Sequence, residues 1–338
     1  MKPGFTQKQY RDLGLLGLAS ITRDPDDLAK AIRAGVVMKA ASETQGPAGG
    51  FLVPTELGTP LQALIEQYGV FRRNANVVPM QRDTKDNPRR TGGTTVYAPG
   101  EGNQITASAV AWGNVHLSAV KLAALIKVSS DLDEDAADLG AELADEFARA
   151  MAQQEDTIGF LGDGTSSSFG KTGVATLLQD GAHAGGVTAA ATHDTFAEID
   201  AVDTTSLIAK LPVRALAGAA WYVSQVGYAL TICRLAAAAG GIQIIGGEPH
   251  YLGFPVRVTP VLPAVATSLT GKAMVLLGDL RLAAVLGDRK QLAIASSSKG
   301  TAFEFDQTQV RGIERIDIVA NDIGDANNVG AMVALIGA

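Results

Sequence analysis

The sequence contains little of the chemistry from which most active sites are built. It has one cysteine, Cys233, so no disulfide can form within the chain, and this fits a protein made in a reducing cytoplasm. No Gly-x-Ser-x-Gly motif marks a nucleophilic serine. The histidines are scattered, and their spacing matches no metal-ligand pattern: His116, His183, His193 and His250. We therefore predict no catalytic residues, no cofactor and no metal site.

Aromatic and basic residues are also scarce. Aromatic residues make up 5% of the chain, the formal net charge is −7, and no block of lysine and arginine occurs. Because a groove that binds nucleic acid by its phosphates needs clustered basic side chains, such a groove is not expected. No apolar run is long enough for a membrane span, and the N-terminal residues do not read as a secretory signal. We expect a soluble protein made in the cytoplasm, with no membrane partner.

Apolar residues, by contrast, are abundant in the sequence. Apolar residues make up 46% and charged residues 19% of 338 residues, which is enough for a large core. The length suggests two domains or one elongated domain. The strongest pattern is a long amphipathic helix over residues 132–161, which would span about 45 Å. Its apolar residues recur mostly three, four or seven apart: Leu132, Leu139, Leu143, Phe147, Met151, Ile158 and Leu161.

The opposite side of this helix is charged. Glu134, Asp138, Asp145, Arg149 and Glu155 lie between the apolar positions. We predict that Leu139, Leu143, Phe147 and Met151 pack into a core while the charged side faces away from it. A charge at Leu143 or Phe147 should then abolish folding.

Flanking segments read as strands and turns. Residues 79–120 contain a polar, charged, turn-rich stretch between strand patterns, which predicts an extended β-excursion without a core of its own. Residues 190–300 alternate helix and strand patterns, which predicts a compact α/β unit. A long alternating pattern over residues 303–319 predicts a strand that returns to pair with the strand at 121–129.

Two local patterns imitate ligand-binding motifs. In residues 162–172, Gly-Lys-Thr is preceded by glycine at the wrong spacing, and the loop follows a helix where a phosphate-binding loop follows a strand. A glycine turn that ends the helix is the better interpretation. Acidic residues from Asp131 to Glu142 match four positions of a calcium loop, but Ala136 stands where the loop requires glycine. Acidic residues at a helix N-terminus are favoured by the helix dipole in any case.

Several short motifs resemble those of tailed-phage major capsid proteins with the Hong Kong 97-type fold. Each is weak alone, but they occur in the family's order over roughly residues 45–320. The matching stretches are Gly-Gly-Phe-Leu-Val-Pro at 49–54, Val-Val-Pro-Met at 77–80, Val-Tyr-Ala-Pro-Gly-Glu-Gly at 96–102, Lys-Leu-Ala-Ala-Leu at 121–125, Gly-Asp-Gly-Thr at 162–165, Leu-Gly-Phe-Pro-Val at 252–256, Leu-Gly-Asp-Leu at 277–280 and Val-Arg-Gly-Ile-Glu-Arg at 310–315.

The resemblance implies an α+β capsid fold with a long spine helix, an extended β-loop, and peripheral and axial domains. By analogy, residues 1–50 form an N-terminal arm, 79–120 the extended loop and 190–300 the axial domain. The peripheral domain would comprise residues 51–78 and 121–189, with 301–338 returning to it.

A shell subunit would act by self-assembly into hexamers and pentamers around double-stranded DNA, without catalysis and without sequence-specific DNA contacts. Its location would be the virion capsid, after assembly in the host cytoplasm. Other partners would be a portal protein and a separate scaffolding protein. Candidate contacts between subunits are Arg82, Lys85, Arg89, Arg90, Glu101, Arg311, Glu314 and Arg315.

Two family features are not expected here. Only about 50 residues precede the first family motif, too few for a scaffolding segment that a protease removes, so we expect a separate scaffolding protein or none. Lys85 is the only lysine of the extended loop and Asn321 is a loose counterpart, so we expect no covalent cross-link between subunits.

Two alternatives remain open: a nanocompartment or gene-transfer-particle shell with the same fold, and a soluble α/β enzyme that uses the loop at 162–172 to bind a nucleotide.

Overall fold

A computed structural model gives the architecture of the chain. The structure describes residues 64–65, 68–90, 93–94, 96–98, 104, 107–110, 112–129, 139–238, 242–265, 267–297 and 301–338. The predicted N-terminal arm and the start of the predicted helix lie outside these residues. The strands are β1 Asn76–Pro79, β2 Thr84–Arg90, β3 Trp112–Ser118, β4 Val120–Ser129, β5 Gly186–Thr188, β6 Ala220–Val223, β7 Gln243–Ile245, β8 Glu248–Tyr251, β9 Phe254–Val258, β10 Ala273–Gly278, β11 Ala284–Ser297, β12 Gln307–Ala320 and β13 Met332–Ile336.

One helix is far longer than the others. It is α2, Leu139–Leu161, with 23 residues. The remaining helices are α1 Phe71–Asn74, α3 Val174–Leu178, α4 Ala201–Lys210, α5 Val213–Leu216, α6 Gln225–Gly227, α7 Arg234–Ala238, α8 Leu280–Ala283 and α9 Thr301–Glu304, with a π-helical turn at Tyr228–Cys233 between α6 and α7. None of the helices in the described residues is long and apolar enough to cross a membrane.

A four-stranded sheet of order β1-β11-β12-β4 carries the long helix on one face. Strand β12 pairs antiparallel with β4 from Gln307↔Ser129 to Ile316↔Val120, which confirms the predicted return of this strand. A Cβ on Gly312 of β12 would lie 2.8 Å from the ring of Phe147, so the absence of a side chain at this position lets α2 approach the sheet closely.

A seven-stranded sheet of order β5-β13-β10-β6-β9-β8-β7 forms the second layer of the molecule. Its central strands are apolar throughout: every residue of β6 and β10 is buried, as is usual for strands covered on both faces. Helix α4 packs near β13 and begins with a capping box formed by Asp200 and Asp203.

At three strands the pairing differs from the predicted division into domains. Strand β11, predicted to belong to the 190–300 unit, pairs instead with β1 and β12 in the four-stranded sheet. Strand β13, predicted to return with residues 301–338 to the peripheral domain, pairs with β10 and β5 in the seven-stranded sheet. Strand β5, predicted to be peripheral, pairs with β13 there. The apolar residues of β13 and of the first part of β11 are buried in the sheets with which these strands pair.

The long helix also differs from the prediction in which side chains it buries. Leu139, Phe147 and Met151 are buried, whereas Leu143 is only half-buried at the edge of the core. Glu155, predicted to face away from the core, is fully buried. That prediction is wrong because Glu155 has a cationic partner far away in sequence, described below.

Strands β2 and β3 form a two-stranded hairpin, paired from Thr84↔Ser118 to Arg90↔Trp112. Its root packs on the body of the molecule, where Met80, Leu117 and Val285 form a small separate core, and Val115 farther along β3 is buried as well. Toward the distal end the side chains become exposed, and Trp112 is 68% exposed. Residues 93–94 and 96–98, between the two strands, are not in a strand.

Candidate assembly surface

The root of the hairpin is tied to the four-stranded sheet on one side through Asp83. Its carboxylate lies 3.4 Å from Nε of Arg289 and 3.3 Å from Nη1 of Arg315, on strands β11 and β12. The backbone N–H of Ala119 donates to the carbonyl oxygen of Asp83 at 2.8 Å, which closes the hairpin across its base. Because these side chains are partly exposed, each ion pair alone contributes little, about 0.2–1 kcal/mol.

On the other side the root is held by Asp317, which is fully buried. One carboxylate oxygen accepts the backbone N–H of Ser118, and the other lies 2.5 Å from Nζ of Lys171. Lys171 also donates to the carbonyl oxygen of Ser118 at 3.3 Å. The lysine of the apparent phosphate-binding motif is therefore used to fix the junction between β3 and β4.

The glycine-rich turn itself is closed by its own side chains. Asp163 accepts hydrogen bonds from the Ser168 hydroxyl at 2.7 Å and from the Thr165 hydroxyl at 2.7 Å. These bonds, with that of the Thr165 N–H, lower the pKa of Asp163 to about 2. A backbone bridge between Asp163 and Thr172 completes the turn. The anionic Asp163 side chain accepts the Thr165 N–H, a backbone donor that a phosphate would need free, which argues against nucleotide binding.

The structure places the predicted contact residues in different environments. Arg82, Arg311 and Arg315 are exposed, and Lys85 and Arg89 are half-buried. Lys85 donates to the carbonyl oxygen of Pro79 at 3.0 Å. Two further candidates are less defined: Glu101 lies outside the described residues, and of Arg90 only the backbone is described, paired with Trp112.

Glu314, also predicted to contact another subunit, is buried inside the chain, so that prediction is wrong. It belongs to a cluster around Arg72 whose side chain is 1% exposed. Arg72 donates through Nη2 to Glu314 at 2.7 Å and through Nε to Glu155 at 2.9 Å, and Nη1 lies 3.1 Å from Asp288. The cluster joins α1, α2, β11 and β12, so one guanidinium links the long helix to the sheet.

Three carboxyl groups share one guanidinium in this cluster, so the charges do not balance if all are ionised. Burial, followed by the negative charge of Glu155, raises the pKa of Glu314 well above its usual value. Burial opposes the charge of Arg72, but the hydrogen bond and charge of Glu155 outweigh it and raise the Arg72 pKa. A proton on Glu314 reduces the excess of negative charge and leaves Arg72 paired with Glu155 and Asp288.

A second buried acid, Asp156, lies beside this cluster on α2. Its two oxygens accept the backbone N–H groups of Val70 at 3.0 Å and Phe71 at 2.7 Å, at the start of α1. Burial raises its pKa to about 6, and the two backbone hydrogen bonds limit the rise. Asp156 thus fixes α1, and with it Arg72, against the long helix.

We expect Glu314→Gln to leave the fold intact and to reduce the dependence of stability on pH. A carboxyl group whose pKa is raised on folding stabilises the fold at low pH, and this contribution is lost as pH rises through the folded pKa. Glutamine is neutral at every pH and can still accept from Arg72. The free energy of unfolding, measured in urea at pH 5 and pH 8, should therefore fall less with pH than in the wild type.

Part of the pH dependence should persist in this variant, because the raised pKa of Asp156 acts in the same direction. Glu304→Gln, at an exposed position away from this cluster, is the matched control and should follow the wild type. Unchanged pH dependence in Glu314→Gln, or a large loss of stability at pH 8, would contradict a protonated Glu314.

One group of potential metal ligands occurs in the described residues: His193, Asp200 and Asp203, whose ligand atoms lie within 4.8 Å of one another. These oxygens already have protein partners. Asp203 accepts the N–H groups of Ala190 and Asp200 and pairs with His193 at 2.7 Å, and Asp200 caps helix α4. Its bond to Asp203 raises the pKa of His193. The group is explained as a helix cap.

A polar cleft of about 910 Å³ lies between the hairpin and the end of β12. Arg89 from the hairpin and Arg214 from α5 line it together with Asn321 and Asp322, and Arg214 pairs with Asp322 at 3.1 Å. The side-chain amide of Asn321 donates to the carbonyl oxygen of Leu282 at 3.1 Å, while Lys85 is held at Pro79. Each of the two residues considered for a cross-link therefore has a partner in its own chain.

Comparisons with known proteins agree with this architecture. The sequence profile of the phage capsid family matches residues 49–322. Among solved structures, the capsid of an empty GTA particle computed with C5 symmetry is 20% identical, with TM-score 0.62, and the match covers 80% of this chain and 90% of that one. The capsid of a native GTA particle is 19% identical, with TM-score 0.59, over 79% and 90% of the two chains.

A phage protein gives a similar result. The structure from Mycobacterium phage Adephagia is 18% identical, with TM-score 0.58, over 80% of this chain and 90% of that one. No curated protein sequence matches the chain. The predicted α+β capsid fold is confirmed by these structures, and the profile match over most of the sequence shows that the chain belongs to the phage capsid family.

Proposed function

We propose that this chain is the major subunit of an icosahedral or prolate shell that encloses double-stranded DNA. The single observation that supports this best is the hairpin of β2 and β3. Its root is fixed by Asp83 and Asp317, whereas its distal part exposes Trp112, and Val96 and Tyr97 between the strands are exposed as well. Exposed aromatic and apolar side chains on an anchored hairpin indicate a partner surface.

The partner that fits is a second copy of the same chain. The solved structures described above include a particle computed with C5 symmetry, and a chain of the same fold can close into similar rings. We propose hexamers and pentamers in which hairpin residues Arg82, Lys85, Arg89 and Arg90 lie on a neighbour. A portal protein and a separate scaffolding protein would complete the assembly, which would take place in the host cytoplasm before the subunits become part of the virion capsid.

Electron microscopy of the purified chain, combined with sedimentation, tests the proposal. Closed shells of megadalton mass are expected, whereas monomers or small oligomers under all assembly conditions would contradict it. Trp112→Ser should lower the yield of particles while leaving the unfolding of the subunit unchanged, because the side chain is exposed in the isolated chain.

The alternative of a gene-transfer or nanocompartment shell is favoured by one observation, the fold similarity to GTA capsids. The contents of the particles separate the alternatives: phage-length DNA, short heterogeneous DNA or a protein cargo. The alternative of a nucleotide-binding enzyme is disfavoured because Lys171 and Asp163 of the glycine-rich turn are bound by other side chains.

A further inference from the structure

One face of the four-stranded sheet is strongly basic although the chain as a whole is acidic. The exposed charged residues of β4, β11 and β12 in the described part of the chain are all cations. The pairing of the strands places them on the face opposite α2. They are Lys121, Lys127, Lys290, Arg311 and Arg315, and we call this set the basic face.

The cations of the basic face are close enough to repel one another. Arg315 lies directly opposite Lys121 on one neighbouring strand and Lys290 on the other. Directly opposed Cβ atoms are about 4.5–5.5 Å apart, and like charges at this distance destabilise a sheet. Asp83 of the hairpin root approaches only Arg315 and Arg289 at one end. A negatively charged partner would therefore stabilise the other cations of the basic face.

A complementary acidic segment exists in the same sequence. Residues 131–146 contain eight of the 35 acidic residues and no lysine or arginine. The other 27 acidic residues nearly balance the 28 lysines and arginines, so this segment accounts for the net charge of −7. In its described part, Glu142 and Glu146 are exposed on α2.

The acidic helix and the basic face lie on opposite sides of the sheet. Phe147 of α2 packs on Gly312 of β12, on the face where Leu122 and Val310 are buried. The basic residues alternate with these positions along the strands and point the other way. Glu142 and Glu146 therefore cannot neutralise the basic face of their own chain.

We propose that the basic face binds the acidic segment 131–146 of a second copy of this chain. This inference rests on the proposed shell function. Contacts between two different surfaces of identical chains are head-to-tail, and such contacts close into rings when the rotation allows it. The hairpin is a poorer occupant of the basic face, because Arg82, Lys85 and Arg89 make it basic as well.

Charge reversal on each surface and on both together tests the proposal. The face variant is Lys127→Glu with Arg311→Glu, and the acidic variant is Glu142→Lys with Glu146→Lys. Each should lower the yield of particles at least about tenfold, because like charges across an interface are strongly unfavourable. The combination should restore assembly. Lys272→Glu with Arg281→Glu, at exposed positions elsewhere, is the charge-matched control and should assemble as the wild type does.

Thermal unfolding of each subunit, measured by circular dichroism, separates assembly from folding. The inference fails if the wild type forms particles and both charge-reversed variants do too, or if folded variants are not restored in combination. Particles of the face variant that form at normal yield but hold less DNA would show that the face contacts the genome instead. The shell proposal itself fails only if the wild type forms no particles.

Discussion

Arg72→Met should destabilise the subunit by about 3–5 kcal/mol, because it removes the only cation of a buried cluster and leaves its carboxylates uncompensated. Glu155 and Glu314 are fully buried and the Asp288 side chain is 15% exposed, so water can reach only one of the three carboxyl groups in place of the guanidinium. Methionine fills a similar space, which keeps the loss of packing small. The measurement is the free energy of unfolding of the dissociated subunit in urea.

The adjacent residue supplies the control for this variant. Arg73 is exposed on the same short helix, and Arg73→Met should change the free energy of unfolding by no more than about 0.5 kcal/mol. A loss below 1 kcal/mol for Arg72→Met would mean that the cluster does not carry net ion-pair energy.

A triple variant tests whether the loss of stability in Arg72→Met comes from the missing cation or from the missing contact between α1, α2 and β12. Replacing a whole buried ionic network with apolar residues of similar volume is often neutral or stabilising. Arg72→Met together with Glu155→Leu and Glu314→Leu leaves only the partly exposed Asp288 of the network, and should therefore be more stable than Arg72→Met alone. If the combination is less stable, the cluster holds α1, α2 and β12 together by its specific geometry.

The cluster also shows where reasoning from the sequence reaches its limit. The sequence predicts Glu155 on the charged side of the long helix, because periodicity sorts residues by polarity and a glutamate counts as exposed. Its partner Arg72 is 83 residues away and its neighbour Glu314 lies on the last long strand. Pairing over such distances leaves no local signal, so Arg72 was not singled out and Glu314 was placed on the surface.

Strand pairing was predictable where the alternation was regular. The strand at 121–129 and the long strand after it have clear patterns, and their predicted pairing is confirmed. Irregularities at 288–293 interrupt the alternation of β11, so its sequence does not indicate one long strand. Strand β13 was missed although a buried apolar run between Gly330 and Gly337 could have indicated it.

The sequence predicts the candidate assembly surface only in part, because exposure depends on contacts between residues that are distant in the chain. The charged hairpin and the basic strand residues could be found as charges in a strand context. Which charges are exposed depends on the face that the long helix covers, and this depends on its contact with the sheet at Gly312.

That contact leads to the expectation that Phe147→Asp abolishes both folding and assembly. Phe147 is 1% exposed, and its ring lies on the backbone of β12 at Gly312 and next to Leu292. Phe147→Ala alone should cost about 3–5 kcal/mol through lost burial and the cavity left behind. An aspartate at this position adds a buried charge without a partner, which exceeds what a typical domain can tolerate.

Leu143, one turn earlier, provides the contrast. The sequence treats both residues as equivalent members of the apolar stripe, but Leu143 is half-buried, so a charge there can reach water. We expect Leu143→Asp to remain folded with reduced stability, whereas Phe147→Asp is recovered only as aggregated protein. Soluble yield and circular dichroism measure this difference. If Phe147→Asp folds and forms shells, the long helix does not depend on this face for its packing. If both variants fail alike, the half-buried position of Leu143 does not give a charge enough access to water.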